Sequence, residues 1–174
     1  SVLAQVAGQL GQDVPDMADA SLLRSFVATM RALIDSGIVL AYHDRSDGGL
    51  FTTLCEMAFA GRCGISVNLD LLTIDPYAAD WGDFKIRPEQ VAVQRNELTL
   101  KALFNEEAGS VIQVPSAERD AVMQVLRGAG LSKYAHVIGM PNTTDEMEIF
   151  RDAKRIWGRS RADLAKRWSE VSWR

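Results

Sequence analysis

The feature of this sequence that most constrains the fold is a strand, a glycine-rich turn and a helix that follow one another directly. Residues 37–42 read Gly-Ile-Val-Leu-Ala-Tyr, a run of β-branched and large apolar side chains that predicts a buried strand. Seven polar or glycine residues follow, His43-Asp-Arg-Ser-Asp-Gly-Gly49. Residues 50–60 then have almost no polar face and predict a buried helix. The order of these segments brings the start of the helix to the end of the strand.

The start of that helix suits an anion, because the first turn of a helix has unpaired N–H groups and a partial positive charge. Gly48 and Gly49 allow a ligand to approach the backbone closely. The carboxylates of Asp44 and Asp47 could hold a divalent cation, which a nucleotide phosphate commonly brings. A structural alternative stays open, in which Ser46 or Asp47 simply caps the helix.

Three sequence blocks lie in order along the chain: HDRSDGGL at 43–50 with EMAFAG at 56–61, LFNEEAGSVIQ at 103–113, and RADLAKRW at 161–168. Together they resemble phosphoribosylformylglycinamidine synthase of the large, single-chain type. The first block is the most specific, since Gly-Gly turns are common but the whole octapeptide is not. The resemblance covers most of the chain and points to the C-terminal aminoimidazole-ribonucleotide-synthetase-like domain in the second half of such enzymes.

The resemblance assigns roles to the glycine-rich turn. In that family the aspartate at the place of Asp44 is a magnesium ligand in an ATP/ADP site, and the serine at the place of Ser46 contacts the nucleotide. We therefore expect Asp44 to bind Mg²⁺ and Ser46, Gly48 and Gly49 to bind ATP or ADP. The other magnesium ligands of the family belong to a preceding domain, so these residues would form half of a site. No catalytic residue is expected here.

The resemblance also implies a cytoplasmic ligase of de novo purine biosynthesis. ATP activates the amide oxygen of formylglycinamide ribonucleotide, and ammonia from glutamine displaces it to give the amidine. In the large synthases the nucleotide site of the second half is auxiliary, holding ADP for structure rather than turnover. Their glutaminase cysteine lies in a separate C-terminal domain. We therefore expect the isolated chain to be inactive and its partners to be the remaining domains of the parent synthase.

Length and charge agree with one domain of a larger enzyme. The 174 residues are enough for about one domain, so we predict a single domain over 1–174. The chain opens at Ser1 without an initiator methionine, which suggests a piece excised from a longer chain. A net charge of −4 argues against a nucleic-acid partner. No apolar run approaches the ~20 residues of a membrane span, and no signal peptide opens the chain.

The two cysteines, Cys55 and Cys63, do not have the spacing of a zinc site. Cys55 falls in the apolar helix and Cys63 just before a predicted strand. Both are interpreted as small core side chains in a reducing compartment, and nothing in the sequence pairs either one with a histidine as a nucleophile.

The periodicity predicts an α+β domain, a mixed β-sheet with helices packed on it, as the family resemblance also implies. Helices are predicted over 21–36, 48–60, 87–107, 115–127 and 160–173, and strands over 37–42, 64–69, 109–114, 134–139 and 146–150. Segment 68–85 is predicted to be an irregular connection.

Three other features have open interpretations. Glu106 and Glu107 could reach a substrate or metal, or form the surface of a helix end. His136 is expected to be a hydrogen-bonded residue of a strand rather than a general base. Residues 151–174 hold eight of the nineteen Lys and Arg residues together with Trp157, Trp168 and Trp173. We interpret this tail as a solvated or docking face, with a phosphate-binding patch as the alternative.

Two other functions stay open. The chain could be a non-catalytic docking module whose apolar, Trp-rich faces pack on a sister domain. It could also be a fragment of a related kinase or synthetase, of the superfamily that includes thiamine-monophosphate kinase and selenophosphate synthetase. Those enzymes need an N-terminal ATP-binding half, for which this chain has no room.

Overall fold

The computed structural model describes residues 1–9, 16, 19–74 and 88–170. Within these ranges lie six helices: α1 Val2–Val6, α2 Ala20–Asp35, α3 Gly49–Gly61, α4 Pro88–Phe104, α5 Arg119–Gly128 and α6 Arg161–Ser169. The strands are β1 Ala41–Asp44, β2 Gly64–Asn68, β3 Ser110–Gln113, β4 Gly139–Asn142, β5 Glu146–Arg151 and β6 Lys154–Ser160. Two short 3₁₀ turns, Asp70–Leu72 and Ser116–Glu118, complete the described elements.

The strands form two separate sheets. In the smaller one, β1 pairs antiparallel with β3, and Tyr42 faces Ile112 in the register. The larger sheet has the order β4-β2-β5-β6. In it β2 and β5 run parallel, whereas the β2–β4 and β5–β6 pairs are antiparallel. The prediction of an α+β fold with a mixed sheet and packed helices is therefore confirmed.

The small sheet separates two hydrophobic cores. The first core lies between α3 and the larger sheet and is made of nine buried residues: Leu50, Leu54, Cys55, Ala58, Val67, Leu69, Leu103, Met147 and Ile149. The second core joins α2 to α5 and is made of Met30, Leu33, Val122, Leu126 and Leu131. Val111 of β3 packs on the first core, whereas Ile112 and Val114 pack on the second. Side chains that alternate along β3 thus serve both cores.

Helix α3 is central because it contacts α4, α6 and β1. Its side chains are apolar on nearly every face, which is typical of a helix covered on several sides. A fully buried aliphatic side chain of this kind contributes about 1.5–3 kcal/mol to the free energy of unfolding. Packing of α3 therefore fixes the end of β1 and the turn between them.

Some predicted elements differ from the structure. The strand expected over 37–42 begins only at Ala41, because Ile38 and Val39 pack on the second core before the chain joins β3. The strand expected over 134–139 is wrong for 134–138, and β4 begins at Gly139. Its apolar run misled the prediction, since Val137 is 49% exposed. The real edge strand contains Pro141, which sequence rules disfavour inside strands.

Strand β6 and helix α1 were not predicted. The basic segment Lys154–Ser160 belongs to the larger sheet, where Trp157 lies opposite Ile149. The Trp157 ring packs edge-on against Phe51, with ring centroids 5.2 Å apart. The docking interpretation of the tail is therefore wrong for Trp157. Trp168 is 60% exposed, and Trp173 lies outside the described residues.

Several apolar residues of the predicted helices are exposed in the structure. They are Leu23, Val27 and Ile34 of α2, Val93 and Leu100 of α4, and Val125 of α5. Each helix buries a narrower stripe than its apolar residues would allow. Helical periodicity alone does not define the width of that stripe.

Candidate functional site

The turn between β1 and α3 carries the residues that the sequence singled out. Strand β1 ends at Asp44, and Gly48 is the N-cap of α3 with a left-handed backbone, φ +83°. The N–H of Gly49 donates to the carbonyl of Ser46 at 2.9 Å and closes the turn. No side chain of this turn caps the helix. The alternative in which Ser46 or Asp47 is the N-cap is therefore wrong, because Gly48 takes that position.

Asp44 is exposed at the end of β1, and its carboxylate accepts a hydrogen bond from the hydroxyl of Tyr42. Burial, followed by this contact with Asp44, raises the pKa of Tyr42 above its ordinary value. The backbone carbonyl of Asp44 accepts a bond of 3.3 Å from the hydroxyl of Thr53 in α3. Neighbours on β1 and α3 thus hold Asp44 in place while its carboxylate faces solvent.

The neighbouring His43 joins β1 to two helices. One imidazole nitrogen lies 2.6 Å from the carbonyl of Asp44, and the other lies 2.9 Å from the carboxylate of Glu56. Glu56 also accepts a bond of 3.3 Å from the indole N–H of Trp168 in α6. These contacts link the end of β1 to α3 and α6.

The paired glycines are required by the packing of this turn. A Cβ on Gly48 would lie 2.1 Å from the hydroxyl oxygen of Thr52, and the left-handed backbone adds strain for any other residue. A Cβ on Gly49 would lie 2.7 Å from the carbonyl carbon of Phe104 and 2.8 Å from the oxygen of Asn105. The start of α3 therefore rests directly on the backbone at the end of α4.

The segment after α4 also binds the turn. Arg45 donates from Nε to the carbonyl of Glu107 at 2.7 Å and from a terminal nitrogen to Ala108 at 3.3 Å. Its backbone N–H donates to Gly109 at 2.8 Å. Burial lowers the pKa of the Arg45 guanidinium. Arg45 thus binds backbone carbonyls of the chain itself.

Glu106 is one of the two acidic residues whose role the sequence left open. One of its carboxylate oxygens accepts hydrogen bonds from the N–H of Gly48 at 3.0 Å and of Val2 at 2.7 Å. These two contacts, the one with Val2 first, lower the pKa of Glu106. Glu107, in contrast, is exposed. Two acidic residues after a helix were the available signal, but they do not indicate which one turns inward.

The acidic groups of this turn do not form a complete metal site on their own. Over the ranges that the structure describes, no three His, Cys, Asp or Glu side chains are grouped so that they could hold a metal ion. Asp44 offers one hard oxygen ligand beside the positive end of α3, which suits one part of a magnesium–phosphate site. Asp44 is therefore suited to be one ligand of a cation whose other ligands would come from elsewhere.

The remaining candidates lie elsewhere. Cys55 is buried in the first core, where burial raises its pKa to about 12, and Cys63 is half-buried. A thiol with such a raised pKa is a poor nucleophile, so Cys55 acts as a core side chain. His136 is exposed in a segment outside the strands, contrary to the strand position predicted for it. Among the described helices, none is both long and apolar enough to cross a bilayer.

Comparison with solved structures supports this fold. Thermotoga maritima PurL complexed with ATP is 13% identical, with a TM-score of 0.62 over 86% of this chain and 23% of that chain. Phosphoribosylformylglycinamidine synthase II from the same organism is 13% identical, with a TM-score of 0.62 over 86% of this chain and 22% of that chain. The E. coli hydrogenase maturation protein HypE is 24% identical, with a TM-score of 0.56 over 88% of this chain and 43% of that chain. The chain thus spans less than half the length of each of these proteins.

These solved structures are less than 25% identical to the chain, so their similarity establishes only the fold. A family profile identifies the chain more directly. The family described as AIR synthase related protein, C-terminal domain, matches residues 1–150. The match includes the turn between β1 and α3, the segment after α4 and most of the larger sheet. The resemblance found in the sequence is confirmed at this level, and the chain belongs to the AIR synthase related protein family as its C-terminal domain.

Proposed function

We propose that this chain is a domain of a cytoplasmic, ATP- and glutamine-dependent ligase that converts formylglycinamide ribonucleotide to formylglycinamidine ribonucleotide in purine biosynthesis. In this proposal Asp44 is a ligand of Mg²⁺, and Ser46, Gly48 and Gly49 contact ATP or ADP. Further domains of a longer chain supply the other ligands and the sites for glutamine and formylglycinamide ribonucleotide. The nucleotide site formed here is auxiliary and supports structure rather than turnover.

The exposed Asp44 carboxylate at the N-terminal end of α3 is the observation that carries this proposal. The combination matters because a helix N-terminus attracts phosphate while a carboxylate attracts the cation that accompanies it. Ser46 is exposed beside Asp44 and offers a hydroxyl to the same ligand. Solved relatives of this fold include T. maritima PurL complexed with ATP, with ADP and with FGAR, which supports a nucleotide role.

Each residue would make a simple contribution. The Tyr42 hydroxyl holds one oxygen of Asp44, which leaves the other oxygen free to face a cation. Bound Mg²⁺ would screen the charge of the nucleotide phosphates. The backbone of Gly48 and Gly49 keeps the turn close to the end of α4, so that Asp44 and Ser46 stay on the solvent side.

The test is to replace Asp44 by Asn in the full-length protein that carries this chain. Asp44→Asn should lower the amount of co-purifying ADP and the stability, while turnover per folded molecule is retained. Glu97→Gln is the control, because it removes the same charge from an exposed residue of α4, outside the turn. Bound nucleotide and glutamine-dependent amidine synthesis are measured for both variants.

Other outcomes would lead to different conclusions. Loss of turnover in a well-folded Asp44→Asn protein would move Asp44 from an auxiliary site into the catalytic machinery. Unchanged ADP and activity would contradict the nucleotide role and leave the turn as a helix start without a ligand.

A second candidate function follows from the likeness to HypE, which is the more similar in sequence at 24% identity. A protein of that type would be a synthetase-superfamily member that does not act on formylglycinamide ribonucleotide. The discriminating measurement is ATP hydrolysis by the full-length protein with and without formylglycinamide ribonucleotide and glutamine. ATP hydrolysis that both compounds stimulate favours the ligase of purine biosynthesis. ATP hydrolysis that neither compound changes favours the second candidate.

A non-catalytic docking module is the third candidate. The exposed apolar side chains of α2, together with Trp168 at 60% exposure, are compatible with a covered face in a larger assembly. This candidate predicts that the full-length protein binds no nucleotide at the Asp44 turn. The comparison of Asp44→Asn with Glu97→Gln therefore separates the docking module from the ligase proposal.

A further inference from the structure

The N-terminus of α3 is bound by a carboxylate from a distant part of the chain. Glu106 lies 58 residues after Gly48 in the sequence, and one of its oxygens accepts the Gly48 N–H at 3.0 Å. The same oxygen accepts the N–H of Val2, at the start of α1, at 2.7 Å. The Glu106 side chain is only 16% exposed. Its carboxylate is therefore a defined contact and not a mobile surface group.

This contact takes the place of one half of a capping box. In a capping box, a Glu or Gln at the third position of the helix accepts the N–H of the N-cap residue, but the third residue of α3 is Phe51, which has no acceptor. A negative charge at this position also interacts favourably with the helix dipole. Glu106 supplies both the acceptor and the charge from another segment. The position of Gly48 thus depends on the position of the segment after α4.

Other contacts also hold the turn against the segment after α4. Arg45 donates to the carbonyls of Glu107 and Ala108, and Gly49 packs on the backbone of Phe104 and Asn105. The conformation of the turn that carries Asp44 and Ser46 therefore depends on contacts with residues 104–109. Among these contacts, the one from Glu106 is made by a side chain of residues 104–109 and can be removed by substitution without altering the turn itself.

We propose that Glu106 is a positioning residue for the turn between β1 and α3. Its carboxylate holds the Gly48 N–H and thereby orients Asp44 and Ser46 toward the ligand. The link to nucleotide binding rests on the function proposed above, whereas the effect on the turn does not. Because Glu106 accepts the Gly48 N–H, the contact of Gly48 with the nucleotide proposed above is made by other backbone atoms of Gly48.

The first test is amide hydrogen exchange of the full-length protein without nucleotide. Glu106→Ala should accelerate exchange of the Gly48 amide about tenfold or more, because a hydrogen bond to a charged group is lost. Glu106→Gln keeps an acceptor oxygen, so its Gly48 amide should exchange at a rate closer to that of the wild type. Glu97→Ala is the matched control, since Glu97 is an exposed carboxylate on α4. Amides of α5, which belongs to the second core, are the internal reference.

The proposal is overturned if Gly48 exchanges as slowly in Glu106→Ala as in Glu97→Ala. It is equally overturned if exchange rises to the same extent in α5, since that pattern would indicate global destabilisation. Where Glu106→Ala folds poorly, Glu106→Gln is compared with Glu97→Gln. A faster exchange of the Gly48 amide in Glu106→Gln supports the proposal, and equal exchange in the two variants overturns it.

The second test measures ADP bound to the same variants in the presence of Mg²⁺. Affinity should fall about tenfold in Glu106→Ala, less in Glu106→Gln, and remain unchanged in Glu97→Ala. If the wild type itself binds no ADP, the proposed function fails, and the exchange experiment still decides the role of Glu106. If the wild type and Glu106→Ala bind ADP equally, the positioning role is overturned while the proposed function stands.

Discussion

At the scale of single residues, the orientation of Asp44 depends on the Tyr42 hydroxyl that donates to its carboxylate. Tyr42→Phe removes this donor and keeps the ring. If Asp44 binds Mg²⁺, we expect the affinity of the full-length protein for Mg²⁺ with ADP to fall about tenfold, because groups that orient a metal ligand commonly have effects of this size. Titration of ADP binding against Mg²⁺ measures the change.

Tyr134→Phe is the control for that measurement. Tyr134 is 58% exposed and lies in the connection before β4, far along the chain from the turn. Equal affinities of Tyr42→Phe and the wild type would contradict the orienting role of Tyr42.

The carboxylate of Glu106 also makes stability depend on pH. Hydrogen bonds from Val2 and then Gly48 lower its pKa from the ordinary value of 4.5. A lowered pKa in the folded state adds stability above pH 4.5, and this contribution is lost as the pH falls through the folded-state pKa. Glu106→Gln should therefore destabilise the chain near neutral pH, with a difference from the wild type that shrinks in acid.

Urea unfolding at neutral pH and at successively lower pH measures this difference. Glu97→Gln serves as the reference for the general effect of removing one carboxylate. The free energy of unfolding of Glu106→Gln is compared with that of the wild type at each pH. If their difference stays constant from neutral pH into acid, the Glu106 charge does not stabilise the turn.

At the scale of secondary-structure elements, the turn between β5 and β6 holds a residue with an unfavourable backbone. Arg151 pairs with Lys154, so Asp152 and Ala153 form a two-residue turn, and both have positive φ, 54° and 58°. Glycine favours this conformation, whereas alanine is strained in it. Ala153→Gly should therefore raise the free energy of unfolding by up to about 1 kcal/mol, equivalent to about 2–4 °C in Tm.

Thermal unfolding of Ala153→Gly and of Ala162→Gly measures this effect with a matched control. Ala162 is exposed in α6, where glycine should destabilise by up to about 1 kcal/mol. Asp152 is left unchanged, because its carboxylate contacts Arg95 at 2.8 Å and its N–H donates to Asp70 at 2.8 Å. A lower Tm for Ala153→Gly would show that strain at Ala153 is not significant.

At the scale of the whole molecule, the small sheet of β1 and β3 separates two cores that share no buried residue. Substitutions in different cores should therefore have additive effects. We expect Ile149→Val in the first core to cost about 1 kcal/mol and Val122→Ala in the second about 2 kcal/mol. The double variant should equal their sum within about 0.5 kcal/mol in urea unfolding.

A pair within the first core provides the contrast. Val67 and Ile149 lie opposite each other in the parallel β2–β5 pair, so Val67→Ala and Ile149→Val should be coupled by about 0.5 kcal/mol or more. Strong coupling between Ile149→Val and Val122→Ala would instead indicate that the two cores behave as one.

The α+β class and most helices could be predicted because helical periodicity and caps are local properties. Helix α2 is an example, since its pattern predicted 21–36 and the helix covers Ala20–Asp35. Strands β4 and β6 were harder, because one contains Pro141 and the other is rich in basic residues. Strand β4 is stabilised by pairing with β2, more than 70 residues earlier, and β6 by its hairpin with β5. Local propensity describes neither pairing.

The sequence by itself determined the succession of strand, turn and helix around Asp44 and Ser46, and with it the candidate nucleotide site. Those features follow from residues adjacent in the chain. Only the tertiary structure decided that Gly48 caps α3, that Glu106 binds its N–H, and that Arg45 binds backbone carbonyls. These contacts join segments about 60 residues apart, and they form only when packing of α3 on α4 brings the two segments together.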